Sequence, residues 1–199
     1  LNTMRKSLLF VWACMGLVCL MSACKTSVKS KEWKLVWVED FDQKNSFDES
    51  VWTKIPRGTS DWNNYMSYYD SCYAMQDGNL ILRGIANHTQ KNDTAPYLTG
   101  GVYTKGKKLF TGGRVEVCAR LQAAKGAWPA IWMLPEKAEW PKGGEIDIME
   151  RLNHDRIAYQ TTHSYYTHIL GIKDNPPHGG INKINPEEYN IYSVDIYPD

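Results

Sequence analysis

The sequence predicts an all-β domain, on three observations. Short runs rich in β-branched and aromatic residues recur from Trp33 onward, separated by glycine turns. One of them alternates cleanly, with Val115, Val117, Ala119 and Leu121 set against Arg114, Glu116, Cys118 and Arg120. No stretch beyond residue 33 keeps a helical period. Runs of this length, punctuated in this way, describe a sandwich or a barrel.

Taken in order, Lys34–Val38 is a short β-rich run, followed by Glu39-Asp40-Phe41-Asp42. The Asp77-Gly78 turn leads into a predicted strand over 79–85. Gly100-Gly101 introduces Val102–Thr104, and Gly112-Gly113 introduces the alternating run 114–121. Further strands are expected over 127–134, 145–150, 158–165 and 190–197. Residues 86–98 and 166–188 read as loops, the second rich in Asn, Pro, Gly and His. There is no internal repeat and no linker after residue 33, so one domain is expected over 33–199.

Residues 1–23 read differently. Arg5-Lys6 precede an apolar run from Leu8 to Met21 that is short for a membrane span and ends in small residues, the pattern of an export signal. Leu20-Met21-Ser22-Ala23-Cys24 resembles a bacterial lipobox, with Met21 where Leu is usual; Cys24 is then the expected lipidation site and new N-terminus. The polar stretch 24–32 reads as the lipidated Cys and a tether. Plain secretion with Cys24 as an ordinary thiol is the alternative. The expected location is the outer membrane or cell surface of a Gram-negative bacterium, held by the lipid. Of five cysteines, only Cys72 and Cys118 belong to the domain, either paired or as two free thiols.

With formal charge +1 and no basic arm or stripe, the chain is a poor nucleic-acid binder. Eight Trp and twelve Tyr on a near-neutral chain suit a neutral sugar polymer, whose apolar faces stack on indole rings. Core packing is the alternative use for any one of them.

The stretch Glu145-Ile-Asp-Ile-Met-Glu150 carries three carboxylates in six residues. As a strand it puts Glu145 and Asp147 on one face and Ile146 and Ile148 on the other. Glu150 breaks that alternation unless a β-bulge at Ile148-Met149 inserts one extra residue and returns it to the acidic face. Crowded like charges raise one another's pKa, which suits a general acid beside an ionised nucleophile.

That motif, behind Trp128-Pro-Ala-Ile-Trp-Met-Leu-Pro135, resembles glycoside hydrolase family 16. Further matches run in the same order: Trp33–Phe41, Asn64–Tyr69, Asp77–Leu80, Gly112–Arg114 and Thr161–His163. The resemblance spans about Trp33 to Asp199. It implies a concanavalin-like jelly-roll β-sandwich with a concave substrate cleft. Members continue past the position of Tyr192–Tyr197, so the domain is expected here without its final strands. The bulged motif is similar to the laminarinase side of the family.

By the same resemblance, Glu145 is the nucleophile, Glu150 the acid/base and Asp147 the helper between them, holding the nucleophile and keeping Glu150 protonated by its charge. At least one of Trp128 and Trp132 is expected on a sugar ring and the other partly in the core, with Trp132 the better candidate for the cleft. His163 is expected to bond the acid region or a substrate hydroxyl, a core histidine being the alternative. Asn64 matches a cleft residue, although the Glu that often follows it is Tyr65 here. Trp62 and Trp140 are expected in outer subsites or as loop caps. No cofactor and no catalytic metal are expected; a structural calcium occurs in some relatives.

The implied activity is a retaining endo-β-glycanase acting on β-1,3 or mixed β-1,3/1,4 glucan, as a monomer. An endo-β-1,4-galactosidase acting on mucin O-glycans, poly-N-acetyllactosamine or galactans is the nearest rival. A surface glycan-binding lipoprotein is the rival of another class, since fold alone does not assign catalysis.

Overall fold

The computed structural model describes residues 33–43 and 45–197. The expected signal over 1–23 and the lipidated Cys24 with its tether over 24–32 lie outside the described residues. Within them nearly all of the regular structure consists of antiparallel strands. The first six are short: β1 (Thr53–Lys54), β2 (Tyr73–Gln76), β3 (Asn79–Leu82), β4 (Gly84–Ala86), β5 (Tyr97–Thr99) and β6 (Val102–Tyr103). Then come β7 (Gly113–Ala119), β8 (Ala130–Met133), β9 (Glu145–Glu150) and β10 (Ile157–His163). A one-turn α-helix, α1 (Tyr165–His168), precedes β11 (Gly179–Lys183) and β12 (Asn190–Ile196), and a 3₁₀ turn at Asp70–Cys72 leads into β2.

Two layers matter for the site. One is the four-stranded sheet in the order β11-β10-β9-β8; the other is the pair β12-β7. The alternation read in the 114–121 run is what lets β7 serve as a layer. Val115, Val117 and Ala119 are half-buried while Arg114, Glu116 and Cys118 are exposed. Val115 and Ala119, with Val194 of β12, pack against Ile148, Met149 and Ala158 of the facing sheet. Met149 is wholly buried, so the apolar face of β9 is fixed against the second layer and its other face is left for polar residues.

Several expected boundaries move, each for a reason outside the local sequence. Lys34–Val38 forms no strand: no described strand runs beside it, and Val36 stays 89% exposed. The 79–85 run divides at Arg83, whose amide donates to the Cys72 carbonyl and whose own carbonyl accepts from Gly100, taking it out of a straight ladder. The expected 86–98 loop closes into the β4-β5 hairpin, pairing Ala86 with Tyr97. The strand expected to reach Tyr165 stops at His163, because Ser164 caps α1 through a reciprocal bond with Thr167.

The 166–188 loop carries β11, which pairs residue by residue with β10 from Ile157↔Lys183 to Thr161↔Gly179. An open ladder on β10 outweighs the weak strand propensity of Gly179-Gly180. Cys72 and Cys118 are both free thiols, Cys72 buried and Cys118 exposed, so of the two readings the unpaired one holds.

Candidate active site

Delivery of the acids begins at Gly143-Gly144. Gly144 takes φ +79°, and a Cβ on Gly143 would meet Pro135 Cγ at 2.4 Å and Ala138 Cβ at 2.6 Å. Only glycine turns the chain this sharply against the Pro135 segment and into β9.

The register then shows where each acid lies. Glu145 pairs with His163, Asp147 with Thr161 and Glu150 with Tyr159, three alternate positions of β10. On the other side Asp147 pairs with Trp132 and Glu150 with Ala130, alternate positions of β8. Residues paired across a ladder share a face, so the three acids lie in one row. Both ladders break register between Asp147 and Glu150, on β10 between Tyr159 and Thr161 and on β8 between Ile131 and Trp132. That is the bulge expected at Ile148-Met149: one extra residue, and Glu150 returns to the face of Glu145.

Each glutamate is held by an indole. Trp128 Nε1 donates to Glu150 Oε1 at 2.7 Å, and Trp140 Nε1 donates to Glu145 Oε2 at 2.6 Å. The two bonds orient both side chains in advance. Trp140 in turn stacks edge-on against His168, with ring centroids 4.4 Å apart, and His168 faces His163.

Asp147 is only 4% exposed. Burial, then the charges of Glu150 and Glu145, then a hydrogen bond with Glu145 push its carboxyl up from 3.8 to about 7. His163 Nε2 lies 3.0 Å from Asp147 Oδ2, but the pair is not aligned as a hydrogen bond and that oxygen is buried without one. Below neutrality Asp147 therefore holds a proton that it shares with Glu145. The charge expected on it as a neighbour of Glu150 is present only above a pH of about 7.

The remaining candidates divide. Trp132 is half-buried on the acidic face, edge-on to Trp62 at 5.0 Å. Trp128 is not the core partner of that pair: it is 47% exposed, with its ring edge on Glu150. Trp140, expected in an outer subsite or as a loop cap, reaches the first acid of the row directly. Asn64 sits on the loop that carries Trp62, with its Oδ1 buried and without a hydrogen-bond partner. Proximity in sequence gave Trp128 and Trp132; nothing in the sequence marked which glutamate each indole would meet.

Among the described residues no group of three or more His, Cys, Asp or Glu side chains is placed to hold a metal ion. The two oxygens of Glu39 are engaged by Phe41 N and Trp52 Nε1, each at 3.0 Å.

A β-sandwich with two oriented glutamates and a third acid along one sheet face is the kind of architecture that glycoside hydrolases use, a pair of carboxylic side chains on one surface. Comparison with known proteins narrows the class. Residues 73–178, just over half of the chain, match the family described as "XgeA-like, catalytic GH16 domain". The keratan-sulfate endo-1,4-β-galactosidase of Sphingobacterium multivorum is 38% identical over 174 residues, covering 85% of this chain and 40% of that protein. The β-glucanase of Rhodothermus marinus is 31% identical over 193 residues, covering 91% of this chain and 65% of that protein. The X-ray structure of the laminarinase from Rhodothermus marinus superposes with a TM-score of 0.72 at 30% identity, covering 84% of this chain and 69% of that one. The chain belongs to glycoside hydrolase family 16, and its fold is that family's jelly-roll β-sandwich. It spans less than two thirds of the length of either curated relative.

Proposed function

We propose that the full protein is a retaining endo-β-glycanase that hydrolyses β-1,3 or mixed β-1,3/1,4 glucan. The observation that carries this is the row Glu145, Asp147, Glu150 on one face of β9, with an indole N–H on each glutamate. A binding module has no use for carboxylates arranged this way.

In the proposed mechanism Glu145 attacks the anomeric carbon as the bond to the departing oxygen breaks, and Glu150 gives its proton to that oxygen. A glycosyl ester on Glu145 results. Glu150 then takes a proton from water, which attacks the same carbon, frees Glu145 and returns the sugar with its β configuration. Asp147, protonated up to a pH of about 7, donates to the Glu145 carboxylate and holds it in line. The two glutamates supply both nucleophile and proton, so no cofactor is required. Trp132, Trp128, His163 and Asn64 are proposed to contact sugar.

The test is the full-length protein on laminarin, mixed-linkage glucan and mucin O-glycans. Glu145→Gln should abolish turnover and leave binding largely intact. Glu150→Ala should lose about 10²–10⁴-fold in kcat/KM on natural linkages and far less in kcat/KM on an activated aryl glycoside, whose leaving group needs no proton. Binding without new reducing ends, unchanged by Glu145→Gln, would leave only a glycan-binding protein.

The endo-β-1,4-galactosidase reading stays as the second choice, because the relative named for keratan sulfate is more identical than the glucanase. Cleavage of mucin O-glycans with laminarin untouched would select it. We further propose export, acylation of Cys24 and residence as a monomer at the outer membrane or cell surface. Cys24→Ser should release the protein from the membrane fraction and abolish labelling by a fatty acid.

A further inference from the structure

A bulge leaves backbone groups without ladder partners, and here it lies directly between the two glutamates. From Asp147 to Glu150 is three residue steps, matched by only two on β10 and two on β8. Ile148 is the residue the β8 register skips, and it is 3% exposed, so water cannot serve its carbonyl. That carbonyl accepts from Gln160 Nε2 at 3.0 Å. Gln160 occupies the matching break on β10, between the pairs Tyr159↔Glu150 and Thr161↔Asp147. Its side chain points away from the acidic face, alternate to Tyr159 and Thr161.

The amide is itself oriented. Asn182 Nδ2, on β11, donates to Gln160 Oε1 at 2.8 Å, so the oxygen end is taken and the donor end faces the bulge. A cavity of about 320 Å³ borders Gln160 and Asn182 on the side of Tyr192 and Ile184. Its two hydrogen bonds fix the amide at the edge of that cavity.

We propose that Gln160, set by Asn182, is a positioning residue for Glu150: it clamps the bulge that brings Glu150 back to the face of Glu145. This rests on the hydrolase reading above. Without the clamp, the Ile148 carbonyl must turn toward another donor, or β9 must slip one residue and close its ladder. Strict alternation from Asp147 would carry residue 150 to the apolar face. Glu145 and Asp147 lie before the bulge, paired with His163 and Thr161, and keep their places. The damage therefore falls on the two proton transfers of Glu150, to the departing oxygen and from water, and sugar binding and nucleophilic attack are spared.

The experiment uses the full-length protein at pH 7 with Gln160→Glu, which keeps the shape and removes the donor, and with Asn182→Asp, which turns the amide around. Each is assayed on the glucan and on an aryl β-glycoside with a dinitrophenyl leaving group, and the Gln160→Glu variant is also crystallised. On the glucan, kcat should fall about 10–100-fold with KM little changed. On the aryl glycoside kcat/KM, which reports the attack step alone, should fall much less, and the crystal should show Glu150 displaced. Equal losses of kcat/KM on both substrates, no loss on either, or an unmoved bulge would each overturn the proposal. If the parent cleaves neither substrate, the hydrolase reading fails, and the crystal structure alone decides whether Gln160 clamps the bulge.

Discussion

Replacing Asp147 by Asn tests the electrostatics of the acidic row directly. The side chain keeps its shape and a donor for Glu145, but it never ionises. In the protein as it stands, burial and the two neighbouring glutamates raise the Asp147 carboxyl from 3.8 to about 7. A carboxyl whose pKa is higher folded than unfolded contributes stability at low pH that is lost as pH rises. The loss begins near the unfolded value of 3.8 and is complete above about 7. The slope is about 1.4 kcal/mol per pH unit, so the whole change is on the order of 4 kcal/mol. An amide at this position does not titrate and brings no such pH dependence. Urea unfolding of the full-length protein and of Asp147→Asn, at intervals from acid to mildly alkaline pH, should show the advantage of the variant growing through that window. Above about 7 it should level off. A difference independent of pH, or one that shrinks as pH rises, would mean that Asp147 is already ionised in the folded protein and that the reasoning is wrong.

Three further outcomes are expected. Trp128→Phe keeps an aromatic ring and removes the donor to Glu150; kcat should fall by up to about tenfold, the upper end for the loss of one ordinary hydrogen bond. Met149→Ala empties a wholly buried position behind the acidic row and should destabilise the fold by about 2–5 kcal/mol in denaturant unfolding. Gly144→Ala places a side chain at φ +79° and should cost about 1–2 kcal/mol, seen as a lower Tm, with activity reduced because the entry to β9 shifts.

The acidic row was legible because its signal is local. A two-residue period puts Glu145 and Asp147 together, and the misfit of Glu150 could be repaired only by an extra residue, which made the bulge readable from six letters. The alternation at 114–121 was legible for the same reason, since one face of β7 is buried and the other wet. Family membership rests on these same local patterns together with the Trp128–Pro135 segment.

What the local sequence determined, then, was the identity of the acids, their common face and the sandwich that displays them. Contacts between distant parts of the chain decided the rest. Trp128 meets Glu150 across 22 residues, while Trp140 comes back to Glu145 from only 5 residues before it, through a turn that no period predicts. Asp147 holds its proton because burial and the two flanking glutamates raise its carboxyl, and burial is a property of the whole sheet. The glycine-rich 179–183 stretch is a strand because β10 offered it a ladder, and Lys34–Val38 is not one because no described strand did. Backbone pairing and desolvation are made by partners far away in the chain, so those features belong to the tertiary structure alone.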